Sequence, residues 1–286
     1  MLKLLKGAPV ADALTDKMKR DILDLATRDI CPTLAIVRAG ERGDCIAYER
    51  GVMKRCASVG VGVRSVVLPE DVAPYTFYST LDDLSTEQSV HGILLLFPLP
   101  PQLDRDAAKS LIDPAKDVDG CTDSSLGGVF IGEPIGYSPC TAEAVMEMLA
   151  YYGISCEGRR AVVIGRSLVV GRPLSMMLLQ ENATVTLCHT KTPDVASIAR
   201  EADLLISCAG QRGSVGANYV SPGQIVIDVG TNFDPETGGL CGDVNAEEVE
   251  KTVAALSPVP GGVGTVTSMV LVSHVVEAAK RITHGQ

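Results

Sequence analysis

The chain is predicted to fold as two doubly wound α/β lobes. Three observations carry that expectation: β-type and helix-period segments alternate along the chain; several β-type segments are short continuous apolar runs, as in strands buried on both faces; and 286 residues suit two domains of ordinary size. The boundary falls near residues 120–140, where the periodicity lapses.

Taken in order, Val10, Leu14, Met18, Ile22 and Leu25 recur at helical spacing and make Pro9–Ala26 an amphipathic helix. Thr33–Val37 is a compact strand. Cys45–Val59 reads as a helix stopped by Gly60, and Val61–Leu68 as the next strand. A helical stretch, Tyr75–Leu84, precedes the buried strand Gly92–Phe97, which ends at Pro98-Leu-Pro-Pro101 because proline continues neither element. A short helix around Arg105–Ile112 leads to a polar loop, Lys116–Gly120, and Cys121–Ser138 reads as loop. Thr141–Tyr152 is then a helix. Strands are expected at Ala161–Ile164, Ala183–Cys188, Asp203–Ser207 and Gln224–Val229, with a helix over Val195–Ala202 and a further strand within Thr252–Leu256. Pro258–Gly264 is a glycine-rich loop, and Ser268–Ile282 is a helix apolar around most of its circumference.

Composition bounds the function. Apolar residues make up 46 %, no run of eighteen apolar residues occurs, and no signal-type segment opens the chain, so a soluble cytoplasmic protein without membrane association is expected. The nine cysteines lack C-x-x-C pairs, which points to neither a disulfide framework nor a metal site. A net charge of −10 argues against nonspecific nucleic-acid binding while leaving room for a local basic pocket.

The stretch Arg160–Thr192 organises the second lobe. A strand runs into Gly165-Arg-Ser, passes Gly171-Arg-Pro, continues as a helix to about Asn182 and enters another strand. Such a unit leaves backbone N–H groups and a helix N-terminus facing outward, able to hold a pyrophosphate. Ser167 stands where the common G-x-G-x-x-G pattern has its second glycine, so spacing alone leaves an ordinary βαβ crossover equally open.

Taken together, Lys116-Asp-Val-Asp-Gly120, Pro139-Cys-Thr141, Gly165-Arg-Ser-Leu-Val-Val-Gly-Arg-Pro173, Cys188-His189, Ile227-Asp-Val-Gly230, Gly242-Asp-Val244 and Pro258-Val-Pro-Gly-Gly-Val-Gly264 resemble the methylenetetrahydrofolate dehydrogenase/cyclohydrolase family. The resemblance spans the chain in the family's order. It implies a folate-binding catalytic domain at 1–138 completed by a C-terminal helix at 266–286, and a Rossmann-like NAD(P)-binding domain at 139–265. It also implies an active-site cleft between the lobes and a homodimer. Carried over residue by residue, Tyr48 and Asp119 are the catalytic and folate-contacting candidates, with Asp119 accepting hydrogen bonds from the pterin. Pro260, Gly261 and Gly262 allow close backbone approach to substrate. Gly165, Arg166, Ser167, Gly171, Thr190 and Thr231 fall at the cofactor site.

Three positions of the family's proton-handling pattern are substituted, and the family's Pro-Met before Thr267 is here Thr265-Val266. Its pattern Ser-x-x-Tyr-x-x-x-Lys reads here Cys45-Ile-Ala-Tyr48-Glu-Arg-Gly-Val52, and its Gln before Pro-Leu-Pro is Leu96. Hydride transfer asks mainly for positioning, whereas hydrolysis of the methenyl bridge needs proton transfer, which valine and leucine cannot perform. The expectation is a methylenetetrahydrofolate dehydrogenase with weak or absent cyclohydrolase activity. The alternatives are the bifunctional enzyme, with Lys54 or a water replacing the missing lysine, and a catalytically silent folate- or nucleotide-binding protein. His189-Thr190-Lys191-Thr192 carries no carboxylate, which together with Arg166 favours NADP, with NAD as the alternative; His189 and Lys191 read equally well as solvated loop residues.

Overall fold

The structure is a computed structural model that describes residues 2–235 and 238–284. It divides into two compact units, one of residues 13–138 with those from 268 on, the other of residues 1–12 with 139–267. Both helices at the ends of the chain are therefore shared between units.

In chain order, β1 (Lys3–Leu4) leads into α1 (Gly7–Ala26), whose Val10, Leu14, Met18 and Leu25 are buried as the spacing predicts, with Ile22 of the same stripe half-buried. Then come β2 (Thr33–Ala39), α2 (Gly43–Val59), β3 (Gly62–Leu68), α3 (Pro74–Thr86) and β4 (Gly92–Leu95). These strands form a parallel sheet in the order β3-β2-β4. Residues Leu34–Val37 of the central strand are fully buried, because helices cover both faces and every side chain of the strand meets apolar neighbours. Gly60 ends α2 in the left-handed conformation, φ 93°, as its position in the sequence predicts.

After α4 (Arg105–Ser110) the structure departs from the sequence reading: Cys121–Ser138 is not all loop but contains α5 (Asp123–Ile131). This helix is defined by its ends rather than by a stripe. Thr122 Oγ1 accepts from Ser125 N–H, and Gly132 closes it with φ 75°. Gly128 is needed within it, since a Cβ there would come 2.6 Å from the Ile135 carbonyl oxygen.

The second unit holds α6 (Cys140–Tyr151), β5 (Arg160–Ile164), α7 (Gly171–Gln180), β6 (Thr184–Cys188), α8 (Val195–Arg200), β7 (Leu204–Ser207) and β8 (Ile225–Asp228). A small antiparallel pair follows, β9 (Asn232–Phe233) with β10 (Leu240–Cys241), then α9 (Ala246–Val249) and β11 (Ala255–Leu256). The main sheet is six-stranded and parallel, in the order β1-β11-β8-β7-β5-β6. Two corrections concern its edge. The strand expected within Thr252–Leu256 is confined to its last two residues, and residues 1–12, placed in the first lobe by the sequence reading, are grouped with the second unit because Lys3 and Leu4 pair with Ala255 and Leu256.

The last helix, α10 (Val263–His284), starts five residues earlier than Ser268 and takes in the end of the glycine-rich loop. Among the described residues, no helix is long and apolar enough to cross a membrane.

Candidate functional site

The turn after β5 is built on two glycines. Gly165 has φ 123°, which a side chain rarely tolerates, and an added Cβ would overlap the Cys208 carbonyl at the end of β7. Gly171 opens α7 so close to the turn that an added Cβ would overlap the Gly165 carbonyl. Between them Ser167 Oγ accepts from Val170 N–H at 3.1 Å, and Arg172 N–H donates to the Ser167 carbonyl at 3.1 Å. The glycines thus serve close backbone packing, which is the part of the fingerprint that spacing alone leaves undecided.

This turn forms one wall of a cavity of about 320 Å³ in the second unit. Of the predicted cofactor residues, Gly165, Arg166, Ser167 and Thr190 line it, whereas Gly171 and Thr231 do not. The lining also takes in Cys208, Ala209 and Gln211, just past the carboxyl end of β7, where ligands of doubly wound sheets are expected to sit, and Ser214 and Tyr219, which no motif in the sequence singles out. Arg166 is exposed at the rim. His189 lies in the wall, its Nδ1 accepting from Lys191 N–H at 3.1 Å, while Lys191 itself is exposed and outside the lining. Among the described residues, none that line the cavity is acidic. Asp194, the first carboxylate after β6, caps α8 through Ser197 N–H and Oγ. Burial pushes the Cys208 thiol up to about 12, so the wall carries no thiolate at neutral pH.

Thr231 is exposed on the segment between two buried carboxylates that organise its surroundings. Asp228 and Asp243 are 3 % and 0 % exposed, and they accept from Gly230 N–H and Asn232 Nδ2–H respectively, so both neighbours of Thr231 are tied down. In the Pro260-Gly261-Gly262 segment, Gly261 has φ 99° and its carbonyl accepts from Gly7 N–H at 2.8 Å. The Val259–Pro260 peptide is cis.

In the first unit the other predicted residues sit on α2, at the end of β4 and on the loop before α5. The buried face of α2 is Cys45, Glu49, Val52, Cys56 and Val59. Cys45 Sγ donates to the Phe97 carbonyl at 3.5 Å, and Leu96, at 6 %, and Val52, at 1 %, are buried. Although Tyr48 stands only one turn from Val52, it is 42 % exposed. Lys54 is exposed.

The Lys116–Gly120 motif divides its labour. Lys116 is buried, its ammonium donating to the Leu84 and Glu87 carbonyls at the end of α3, and burial lowers its pKa. Asp117, fully buried, accepts from Cys121 N–H, Thr122 N–H and Ser125 Oγ. Both are structural, and Asp119 is left as the half-buried member of the motif. Behind it, His274 Nδ1 lies 2.9 Å from the Val118 carbonyl.

A parallel α/β unit whose glycine turn opens on a cavity with a cationic rim defines a protein of the Rossmann-like nucleotide-binding class. Comparison with known proteins makes this specific. Residues 5–119 match the model of the tetrahydrofolate dehydrogenase/cyclohydrolase catalytic domain, and residues 139–283 match that family's NAD(P)-binding domain. The chain belongs to the tetrahydrofolate dehydrogenase/cyclohydrolase family, oxidoreductases of one-carbon folate metabolism. A relative from Carboxydothermus hydrogenoformans, named bifunctional protein FolD, is 46 % identical over 281 residues, covering 98 % of each chain. The solved bifunctional FolD methylenetetrahydrofolate dehydrogenase/cyclohydrolase of Campylobacter jejuni is 36 % identical with a TM-score of 0.95, covering 98 % of this chain and 99 % of its own. The Trypanosoma brucei dehydrogenase-cyclohydrolase, solved with NADP and an inhibitor, is also 36 % identical, with a TM-score of 0.90 and 98 % of both chains covered.

Proposed function

We propose that the chain is a 5,10-methylenetetrahydrofolate dehydrogenase that passes hydride from its folate substrate to NADP, and that it also carries the cyclohydrolase step. The observation that carries the first part is the Gly165–Gly171 turn opening on a cavity with Arg166 at its rim, inside a domain that matches the family's NAD(P)-binding model. The backbone packing that excludes a Cβ at Gly165 and Gly171 is the kind of cradle a pyrophosphate needs. In this reading Gly165, Arg166, Ser167, Thr190 and Thr231 hold the dinucleotide and Gly171 keeps the turn closed. When bound, the nicotinamide supplies the hydride acceptor. Asp119 accepts from the pterin, Tyr48 meets the reacting end of the folate, and Pro260, Gly261 and Gly262 offer backbone to the substrate. Oxidation of the methylene bridge then rests on orientation, with no general base required.

The bifunctional assignment is favoured over a dehydrogenase-only enzyme because two solved relatives at 36 % identity carry both activities in their names and one at 46 % is named bifunctional. One observation favours the second reading, weak or absent hydrolysis. At the positions where the family pattern has Ser, Lys and Gln, this chain buries Cys45, Val52 and Leu96; valine and leucine cannot move a proton, and the Cys45 thiol is directed to a backbone carbonyl. The choice of NADP over NAD rests on Arg166 and on the lack of acidic groups among the described lining residues. A cytoplasmic homodimer completes the reading.

Two assays on one preparation test it. Reduced cofactor should accumulate with methylenetetrahydrofolate and NADP, and methenyltetrahydrofolate should decay faster than in buffer. No reduction with either cofactor sinks the dehydrogenase; a large preference for NAD refutes the phosphate-binding role of Arg166; reduction without enzyme-dependent hydrolysis selects the dehydrogenase-only reading. Sedimentation equilibrium tests the dimer.

A further inference from the structure

Five hydrogen bonds converge on one carboxylate in the second unit. Asp243 Oδ2 accepts from Ser207 Oγ at 3.1 Å, Ala209 N–H at 2.7 Å and Gly210 N–H at 3.2 Å, while Oδ1 accepts from Gln211 N–H at 2.9 Å and Asn232 Nδ2–H at 3.0 Å. A carboxylate has about four lone-pair sites, so this one is saturated and has nothing left to offer a substrate. It is also fully buried. Its partners come from three places: the last residue of β7, the turn that follows it, and the segment after β8. Three successive backbone N–H groups aimed at one anion form a nest, and only an acceptor-only group suits it.

A second buried carboxylate holds the first. Asp228 Oδ1 accepts from the backbone N–H of Gly230 at 2.9 Å and of Asp243 at 3.1 Å, and Oδ2 accepts from Val244 N–H at 2.9 Å. The approach is so close that a Cβ on Gly230 would overlap the Asp243 carboxylate and one on Gly242 would overlap that of Asp228. The Ile227-Asp-Val-Gly and Gly242-Asp-Val motifs are thus one interlocked device. What it fixes is informative: Ala209 and Gln211 line the same cavity as Gly165–Ser167, and Asn232 adjoins Thr231.

We propose that Asp243 is a positioning residue for dinucleotide binding, holding the 209–211 turn and the Thr231 segment where the cofactor meets them. The proposal rests on the reading that this cavity takes the dinucleotide. Asp243 acts through the backbone it clamps and touches no substrate.

The test compares Asp243→Asn and Asn232→Ala with Val249→Ala, which removes a fully buried core side chain of the same unit and no member of the clamp. NADP affinity is measured by direct titration, KM for NADP and for methylenetetrahydrofolate by kinetics, and folding by thermal melting. In Asp243→Asn an amide NH2 opposes N–H donors, so the NADP Kd and KM should rise by about tenfold or more, with the folate KM held within about twofold. Asn232→Ala, which loses one bond and strands no charge, should shift them in the same direction by about threefold. Val249→Ala should lower the melting temperature without moving the NADP Kd. NADP affinity unchanged in folded Asp243→Asn and Asn232→Ala overturns the proposal. If Asp243→Asn does not fold, Asn232→Ala decides alone. If the parent chain binds neither NADP nor NAD, the dinucleotide reading itself falls, and the proposal with it.

Discussion

Arg38 Nε lies 2.8 Å from Glu49 Oε2, joining the central strand of the first unit to the buried face of α2. The side chains are 12 % and 7 % exposed, Arg38 also donates to the Gly40 carbonyl, and Ser65 Oγ donates to Glu49, so both charges are desolvated and paired. Removing one partner leaves the other buried without its close counter-charge. Glu49→Ala should therefore destabilise the chain by roughly 3–5 kcal/mol, whereas Arg38→Leu with Glu49→Leu should cost less than either single change. Urea unfolding of the three variants measures this, and a double variant as unstable as the sum of the singles would contradict it.

Restoring the proton-handling groups should raise hydrolysis. Val52→Lys with Leu96→Gln puts them where the family pattern has them, and general acid–base help of the usual size is worth about 10²–10⁴-fold. An increase of at least about tenfold in methenyltetrahydrofolate decay is expected. Lys54→Gln, altering an exposed side chain, should leave the rate unchanged. A marked loss on Lys54→Gln would show that this lysine substitutes for the missing one.

The Asp228 carboxyl gives a pH signature. Burial raises it from 3.8 to about 6; the Val244, Asp243 and Gly230 N–H groups oppose that rise, and the charge of Asp243 adds to it. A carboxyl raised in the folded state holds a proton that the unfolded chain has released, so its contribution is fully present below about pH 4 and is lost as pH rises through 6. By linkage the loss is roughly 3 kcal/mol. Asparagine mimics the protonated form, so the stability of the parent relative to Asp228→Asn should fall by that amount between about pH 4 and pH 7. Denaturant unfolding at the two ends of the range measures it, and a flat difference would show the carboxyl to be unshifted.

Gly171→Ala should separate packing from charge in the cofactor turn. The new Cβ overlaps the Gly165 carbonyl, forcing the turn and the start of α7 apart. A destabilisation of about 1–3 kcal/mol is expected, with NADP binding weakened although no polar group is lost. Melting and titration check both, and unchanged affinity would place the phosphates elsewhere.

The alternation of elements, the buried parallel strands and the first helix were legible because apolar periodicity is local and survives any arrangement of the lobes. So was the glycine turn, because a positive φ constrains the residue itself. Helix α5 was not legible, since its caps and its contact at Gly128 replace a stripe, and neither was the two-residue β1, which exists only through Ala255 and Leu256. The divergent fates of Tyr48 and Val52, one turn apart, depend on what packs against α2. The same holds for the carboxylates. Asp228 and Asp243 stand in readable motifs, but their partners lie up to 36 residues away, and nothing along the chain says which N–H groups a buried carboxylate will meet. Local propensity and pattern determined the elements and the family; the tertiary structure decided which polar groups were buried together, because hydrogen-bond partners are chosen only when distant segments are brought into contact.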